Sequence, residues 1–209
     1  ITTDCYGDWH PIFPIFTMRK NLERYLHRTT FITPQKADEV RNVLDTETTW
    51  TNFDYGGPEN ICVQDNPKVP YHVTELNIEH EMTKYLETQI DRVVDEYIHN
   101  FLQDITWFNY WNGKTRFYYI RYPTGSDGMG THADHVRNIF DGTRRGIPTL
   151  TVLGSLSDDY EGGDIVFWQD TPKRLNKGEV FIFPSIFLYP HEVTPITKGS
   201  RYSFAVWIW

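Results

Sequence analysis

Residues 130–135 read "GTHADH", and His132, Asp134 and His135 are side chains that bind metals or move protons. They follow the glycine-studded run "RYPTGSDGMG". Such a cluster can be a surface loop, a polar turn, or two-thirds of a metal site. In an extended strand, side chains i and i+2 share a face. His132 and Asp134 would therefore reach one point, and His135 would point away. Taken alone, the H-x-D spacing reads first as a polar loop.

A third ligand has to come from elsewhere, and His191 in "YPHEVTPITKGSRYSFAVW" is the best-placed candidate. Two histidines and a carboxylate on one side of a metal leave three positions open, the arrangement of non-haem Fe(II) sites that take a cosubstrate and dioxygen. Ten residues beyond His191, Arg201 opens the last strand. Along it Arg201, Ser203, Ala205 and Trp207 alternate onto one face, and Tyr202, Phe204, Val206 and Ile208 onto the other. The second face is apolar and reads as packing under helices. The first puts an arginine and a hydroxyl inside, where a guanidinium needs an anion. No acidic residue alternates beside it. A ligand carboxylate gripped by the guanidinium fork would serve, and a salt bridge from another strand is the plain alternative.

The elements that must position these residues are legible in outline. Thr33 as N-cap, Pro34 at the first helical position and an apolar stripe of Ala37, Val40, Val43 and Leu44 predict a helix. A second helix is predicted from Glu75 to Asp104, with Ile78, Met82, Tyr85, Leu86, Ile90, Val93, Val94, Tyr97, Phe101 and Leu102 as its buried stripe. Residues 50–72 are rich in Gly, Pro, Asn and Asp and read as one long loop, in the place of a lid. Asn112-Gly113 between aromatic runs signals a type I′ hairpin. After it come short strands: "TLTVLGSL", "GDIVFW", "EVFIFP", "HEVTPI" and "RYSFAVWIW". Helices first and strands afterwards predict an α+β chain, its β half a sandwich or barrel with the helices on one outer sheet face. Residues 1–26 read as an extension packed on a single domain of residues 27–209.

Composition narrows the function classes. Aromatics are 16% of the 209 residues, which suits a β-rich, pocketed protein. A net charge of −8 argues against a nucleic-acid partner. No apolar run approaches the ~18–20 residues of a membrane span. Cys5 and Cys62 make no disulfide framework, so a reducing, cytoplasmic setting is expected. The first residue is Ile1 rather than Met, which reads as a trimmed chain whose targeting signal can lie outside it.

From about Phe117 to Trp207 the sequence resembles the Fe(II)- and 2-oxoglutarate-dependent dioxygenases, and within them the prolyl 4-hydroxylases. The marks are "RYPTGSDGMGTHAD", with Tyr122 ten residues before His132, then "LTVLGSLSDDYEGGDIVFW", the Gly178 turn before "EVFIFP", and "PHEVTPITKGSRYSFAVW". The last stretch is most similar to the hypoxia-sensing prolyl hydroxylases. "TTFITPQKADEVRNVL" resembles the family's opening helix, so the likeness runs over about residues 28–209. It implies a double-stranded β-helix (jelly-roll) core, with N-terminal helices packed on one sheet. It implies Fe(II) on His132, Asp134 and His191. 2-Oxoglutarate would chelate the iron, with its far carboxylate on Arg201 and Tyr122 nearby.

The implied reaction consumes dioxygen, releases succinate and CO2, and hydroxylates a substrate, with ascorbate as an accessory. A prolyl residue of a peptide or protein is the expected target. Where the group often has a tyrosine on the far carboxylate, this chain aligns Ser155; Ser203 can supply the missing donor. Asp134 argues against the halogenating branch. Trp207 is a candidate for the substrate pocket. The rival readings are the same chemistry on a free amino acid, another side chain or a small metabolite, a non-catalytic jelly-roll binding module, and a zinc hydrolase.

Overall fold

The computed structural model describes residues 20–53, 71–102, 111, 113–134 and 148–209. Its centre is a seven-stranded antiparallel sheet. In spatial order the strands are β1 (His27–Thr30), β10 (Glu179–Pro184), β6 (Leu150–Ser155), β13 (Arg201–Ile208), β4 (Tyr118–Tyr122), β3 (His72–Thr74) and β2 (Thr51–Asn52). A smaller sheet runs β5 (Met129–His132), β11 (His191–Val193), β8 (Ile165–Phe167) and β9 (Thr171–Lys173). A short pair, β7 (Glu161–Gly162) and β12 (Ile196–Lys198), completes the strands.

The expected alternation along β13 sorts the interior. Tyr202, Phe204, Val206 and Ile208 lie in one apolar cluster with Val40 and Leu44 of α1 (Pro34–Glu47) and with Leu86, Ile90, Val93, Val94 and Tyr97 of α2 (Glu81–Phe101). The helices therefore cover the outer face of the large sheet. α1 starts as its sequence predicts: the Thr33 hydroxyl accepts the Lys36 N–H at 3.2 Å, and Pro34 occupies the first turn.

α2 is shorter than its apolar stripe predicts. His80 caps it, Nδ1 accepting the Met82 N–H at 3.0 Å. Before the cap, the Asn77 side chain accepts the Glu79 N–H and its carbonyl accepts the His80 N–H, a local turn that competes with the helix. Ile78 thus falls outside the helix and is exposed, and Tyr85 on α2 is exposed under the Lys36 ammonium. The two ends of the expected 50–72 loop are strands: Thr51 pairs Val73 and Asn52 pairs His72, extending the large sheet by one edge strand. "HEVTPI" likewise divides. Its halves, β11 and β12, belong to different sheets, split at Pro195, which has no N–H for a ladder.

The space between the sheets holds two further apolar clusters, one around Phe167, Phe183 and Tyr189 and one around Tyr71, Ile120, Tyr122 and Ile196. Leu22 and Leu26 pack on the first of them. On the facing inner positions of β6 and β13, Ser155 pairs Ser203 and Thr151 pairs Trp207, with the apolar pair Leu153 and Ala205 between them. The first limb of the expected 112–113 hairpin lies mostly outside the described residues; its second limb, at Lys114, bridges Ile208. No helix among the described residues is long and apolar enough to cross a membrane.

Candidate metal centre

β5 and β11 are neighbours in the small sheet, and the register places His132 directly opposite His191. Their rings lie 4.5 Å apart. Asp134 stands just past β5 and turns its carboxylate onto both: Oδ1 is 3.5 Å from His132 Nε2 and 3.8 Å from His191 Nε2. The three side chains bring one ligand atom each within 4.8 Å of one another. Among the described residues no other such group of histidine, cysteine and carboxylate forms. His135, Arg137, Arg144 and Arg145 lie outside the described residues.

The hydrogen bonds fix what these atoms are. His132 Nδ1 lies 2.8 Å from the Gly130 carbonyl and His191 Nδ1 lies 3.1 Å from the Tyr189 carbonyl. A carbonyl only accepts, so each imidazole donates from Nδ1, which leaves Nε2 as the nitrogen turned toward Asp134. Burial pushes the His191 pKa down, partly opposed by Asp134, and so keeps the ring neutral. For Asp134, burial alone would push the carboxyl up. The facing His191 and His132 and the Thr151 hydroxyl outweigh it and hold the group well below the usual carboxylate range. Two imidazole Nε2 atoms and a carboxylate oxygen therefore converge at short range, a donor set that fits a divalent cation.

Arg201 lies on the inner face of β13 and is only 4% exposed. Nη1 donates to Ser203 Oγ at 2.8 Å, and Cζ stands 5.2 Å from the centre of the Tyr122 ring, on the residue directly opposite in β4. Nε is buried with no acceptor. Among the described residues no carboxylate pairs with this guanidinium, so the salt-bridge alternative has no partner there. Ser203, having accepted from Arg201, still carries a proton to donate. Ser155 differs: its hydroxyl donates to the Ser157 carbonyl at 2.8 Å, which leaves it lone pairs only. Trp207 lies two same-face positions beyond Ser203, opposite Thr151, with a buried indole N–H that has no acceptor.

Two contacts at this site escape a reading of spacing alone. Thr151, on β6, donates from Oγ1 to Asp134 Oδ2 at 2.5 Å. Gly163 sits against Arg201: a Cβ there would lie 2.9 Å from Arg201 Cδ, and its φ of +68° is a conformation glycine adopts without strain. The sequence signal for the first was a polar residue at the inward position of an apolar strand. For the second it was the pair Gly162-Gly163, which reads as a tight turn and is one, both residues having positive φ.

The family model for the 2OG-Fe(II) oxygenase superfamily matches residues 104–209, half of the sequence and both halves of the site. The chain belongs to the 2OG-Fe(II) oxygenase superfamily. A PKHD-type hydroxylase of Idiomarina loihiensis is 36% identical over 91 residues, covering 42% of this chain and 39% of that protein. The chain thus spans about two-fifths of the length of the curated relatives it matches. Two solved structures share the architecture. The viral collagen prolyl hydroxylase of Paramecium Bursaria Chlorella virus-1, a 2OG complex, superposes with a TM-score of 0.63 at 17% identity over 88% of this chain and 95% of that one. A prolyl hydroxylase of Trichoplax adhaerens, in complex with a hypoxia inducible factor peptide fragment, gives 0.61 at 18% identity over 95% and 94%. At these identities the likeness establishes the double-stranded β-helix fold expected from the sequence.

The superfamily's name carries Fe(II) and 2-oxoglutarate, and the donor set here fits both. The converged ligand atoms suit a divalent cation; the orphaned guanidinium nitrogen suits a carboxylate. Gly163 bears on the second of these. Gly163→Ala is expected to crowd Arg201 and weaken 2-oxoglutarate binding by roughly tenfold, the size that 1–2 kcal/mol of local strain gives. Metal affinity should stay unchanged, as calorimetric titrations of the two ligands in turn would show.

Proposed function

We propose that this chain hydroxylates prolyl residues in a peptide or protein, with Fe(II) held by His132, Asp134 and His191 and the far carboxylate of 2-oxoglutarate held by Arg201 and Ser203. The observation that carries the reading is the buried, acid-free Arg201 fork on the inner face of the sheet that also carries Thr151, the partner of Asp134. A zinc hydrolase would give that arginine no task. A vestigial binding module would not need three convergent acceptors. The prolyl target draws on the names of the PKHD-type relatives and of the two prolyl hydroxylases that share the fold.

With both ligands bound, the site couples oxidative decarboxylation of 2-oxoglutarate to hydroxylation of a substrate C–H. The residues of the chain orient and enclose. The Nε2 atoms of His132 and His191, each turned inward by the hydrogen bond at its Nδ1, and the ionised Asp134 supply the ligands. Arg201 and Ser203 fix one end of the cosubstrate by charge and hydrogen bond, which sets where its other end lies. The Phe167 and Phe183 rings lie 5.5 and 5.3 Å from the His191 ring and exclude water from that flank. His132, whose side chain is 27% exposed, marks the open flank, the side from which a substrate can approach. Trp207, with its unpaired N–H and its ring 6.2 Å from Tyr118, offers a wall and a donor.

The test is succinate formation from 2-oxoglutarate with Fe(II) and ascorbate, comparing no substrate, free proline and a pool of proline-containing peptides. The expected result is stimulation by peptides, with one added oxygen on proline by mass. Stimulation by free proline alone would move the substrate to an amino acid, and oxidation only at other residues would overturn the prolyl assignment.

A further inference from the structure

Asp134 lies outside any strand, two residues beyond the end of β5, so no ladder holds it in place. Its carboxylate is nonetheless 4% exposed and divided in function: Oδ1 faces the two histidines while Oδ2 faces Thr151. Thr151 belongs to β6, which is paired on both sides, by β10 and by β13, and is fully buried. A carboxylate only accepts, so the single Thr151 proton goes to Asp134. The 2.7 Å contact between Thr151 Oγ1 and Ser185 Oγ must then run the other way, with Ser185 donating. Ser185 is buried too, and its own N–H is tied to the Thr149 carbonyl at 3.0 Å. The result is a one-directional chain, Ser185 to Thr151 to Asp134, anchored on β6 and on the residue that follows β10.

We infer that Thr151, oriented by Ser185, is a positioning residue that engages Oδ2 and so presents Asp134 to the metal through Oδ1 alone. The inference rests on the reading of this cluster as a metal centre and adds what sets its geometry. A carboxylate free to turn can offer both oxygens, and the second would take one of the positions that cosubstrate and dioxygen need. Side chains that orient a ligand in this way typically govern affinity by 10–100-fold. Thr151 links the two sheets here: a strand of the large sheet holds the ligand that the small sheet's β5 only leads up to.

The experiment measures Co(II) affinity by calorimetry, with the visible Co(II) spectrum as a second readout, in the wild type, Thr151→Val, Thr151→Ser, Ser185→Ala and Asp134→Ala. Thermal melts of the metal-free proteins show that each variant is folded. The expected result is a loss of about tenfold or more for Thr151→Val, which keeps the shape and removes the hydroxyl. The spectrum should change as Oδ2 is released. Thr151→Ser should restore both readouts, and Ser185→Ala should lose about threefold, the size of one weak hydrogen bond. A folded Thr151→Val within twofold of the wild type, with the wild-type spectrum, would overturn the inference while leaving the metal centre standing. Should Thr151→Val not fold, an unchanged Ser185→Ala would overturn it in the same way. A wild type that binds no Co(II) would overturn the centre and the inference together; binding lost only in Asp134→Ala would keep the centre and refute the role of Thr151.

Discussion

Asp134→Ala is expected to abolish turnover and to weaken metal binding by far more than the ~10–100-fold typical of changes outside the ligand set. The variant removes the only anion among three ligand atoms. What remains is a pair of imidazoles 4.5 Å apart, His132 and His191, each with Nδ1 committed to a backbone carbonyl. Two imidazole nitrogens bring no negative charge to offset a divalent cation in a site where the Asp134 carboxylate itself is 4% exposed. The metal-free fold should survive, because the change leaves the strand ladders and the apolar cluster beside the site in place. Calorimetry with Mn(II) or Co(II) checks the affinity, and a thermal melt checks the fold. Unchanged succinate production by this variant would remove Asp134 from the site.

Arg201→Ala should separate the cosubstrate from the metal. Truncating one member of a buried charge pair costs about 2–5 kcal/mol, so 2-oxoglutarate affinity should fall by on the order of a hundredfold or more. Metal affinity should be nearly unaffected, since no hydrogen bond links Arg201 to His132, Asp134 or His191 among the contacts seen; its bond is to Ser203. Arg201→Lys should not rescue the loss fully, because a point charge does not reproduce the planar fork. Ser203→Ala should cost about 1 kcal/mol, one hydrogen bond. The same loss at Ser155 is not expected, as that hydroxyl already donates to Ser157. Loss of metal rather than of 2-oxoglutarate in Arg201→Ala would make the arginine a scaffold residue.

These residues were readable in the sequence to different depths, and the difference is physical. β13 was legible because a strand has a period of two, and eight residues of strict alternation leave one assignment of its faces. The ligands were legible because few residue types bind metals and H-x-D places two on one face. Thr33-Pro34 announced α1 through local capping chemistry. Local chemistry also misled: the apolar stripe of α2 continues through Ile78, and only the Asn77 turn and the His80 cap, both side-chain effects, decide where the helix begins. Pairing of distant strands is not local at all. The β2–β3 edge at the ends of the 50–72 stretch, the division of "HEVTPI" between two sheets, and the approach of Gly163 to Arg201 depend on register across the fold. The Thr151–Asp134 contact spans 17 positions and joins a strand of the large sheet to the turn after β5. Alternation could flag Thr151 as an inward polar residue, yet nothing local names its partner.

The central claim is that His132, Asp134, His191 and Arg201 form one site for Fe(II) and 2-oxoglutarate. Its most direct test is an anaerobic titration of 2-oxoglutarate into the Fe(II)-loaded chain, followed by visible absorption. A weak charge-transfer band that saturates with 2-oxoglutarate is predicted for the wild type. The band should be absent in Asp134→Ala and should need far more 2-oxoglutarate to appear in Arg201→Ala. An Fe(II)-loaded wild type that shows no band and takes up no 2-oxoglutarate by calorimetry would contradict the account.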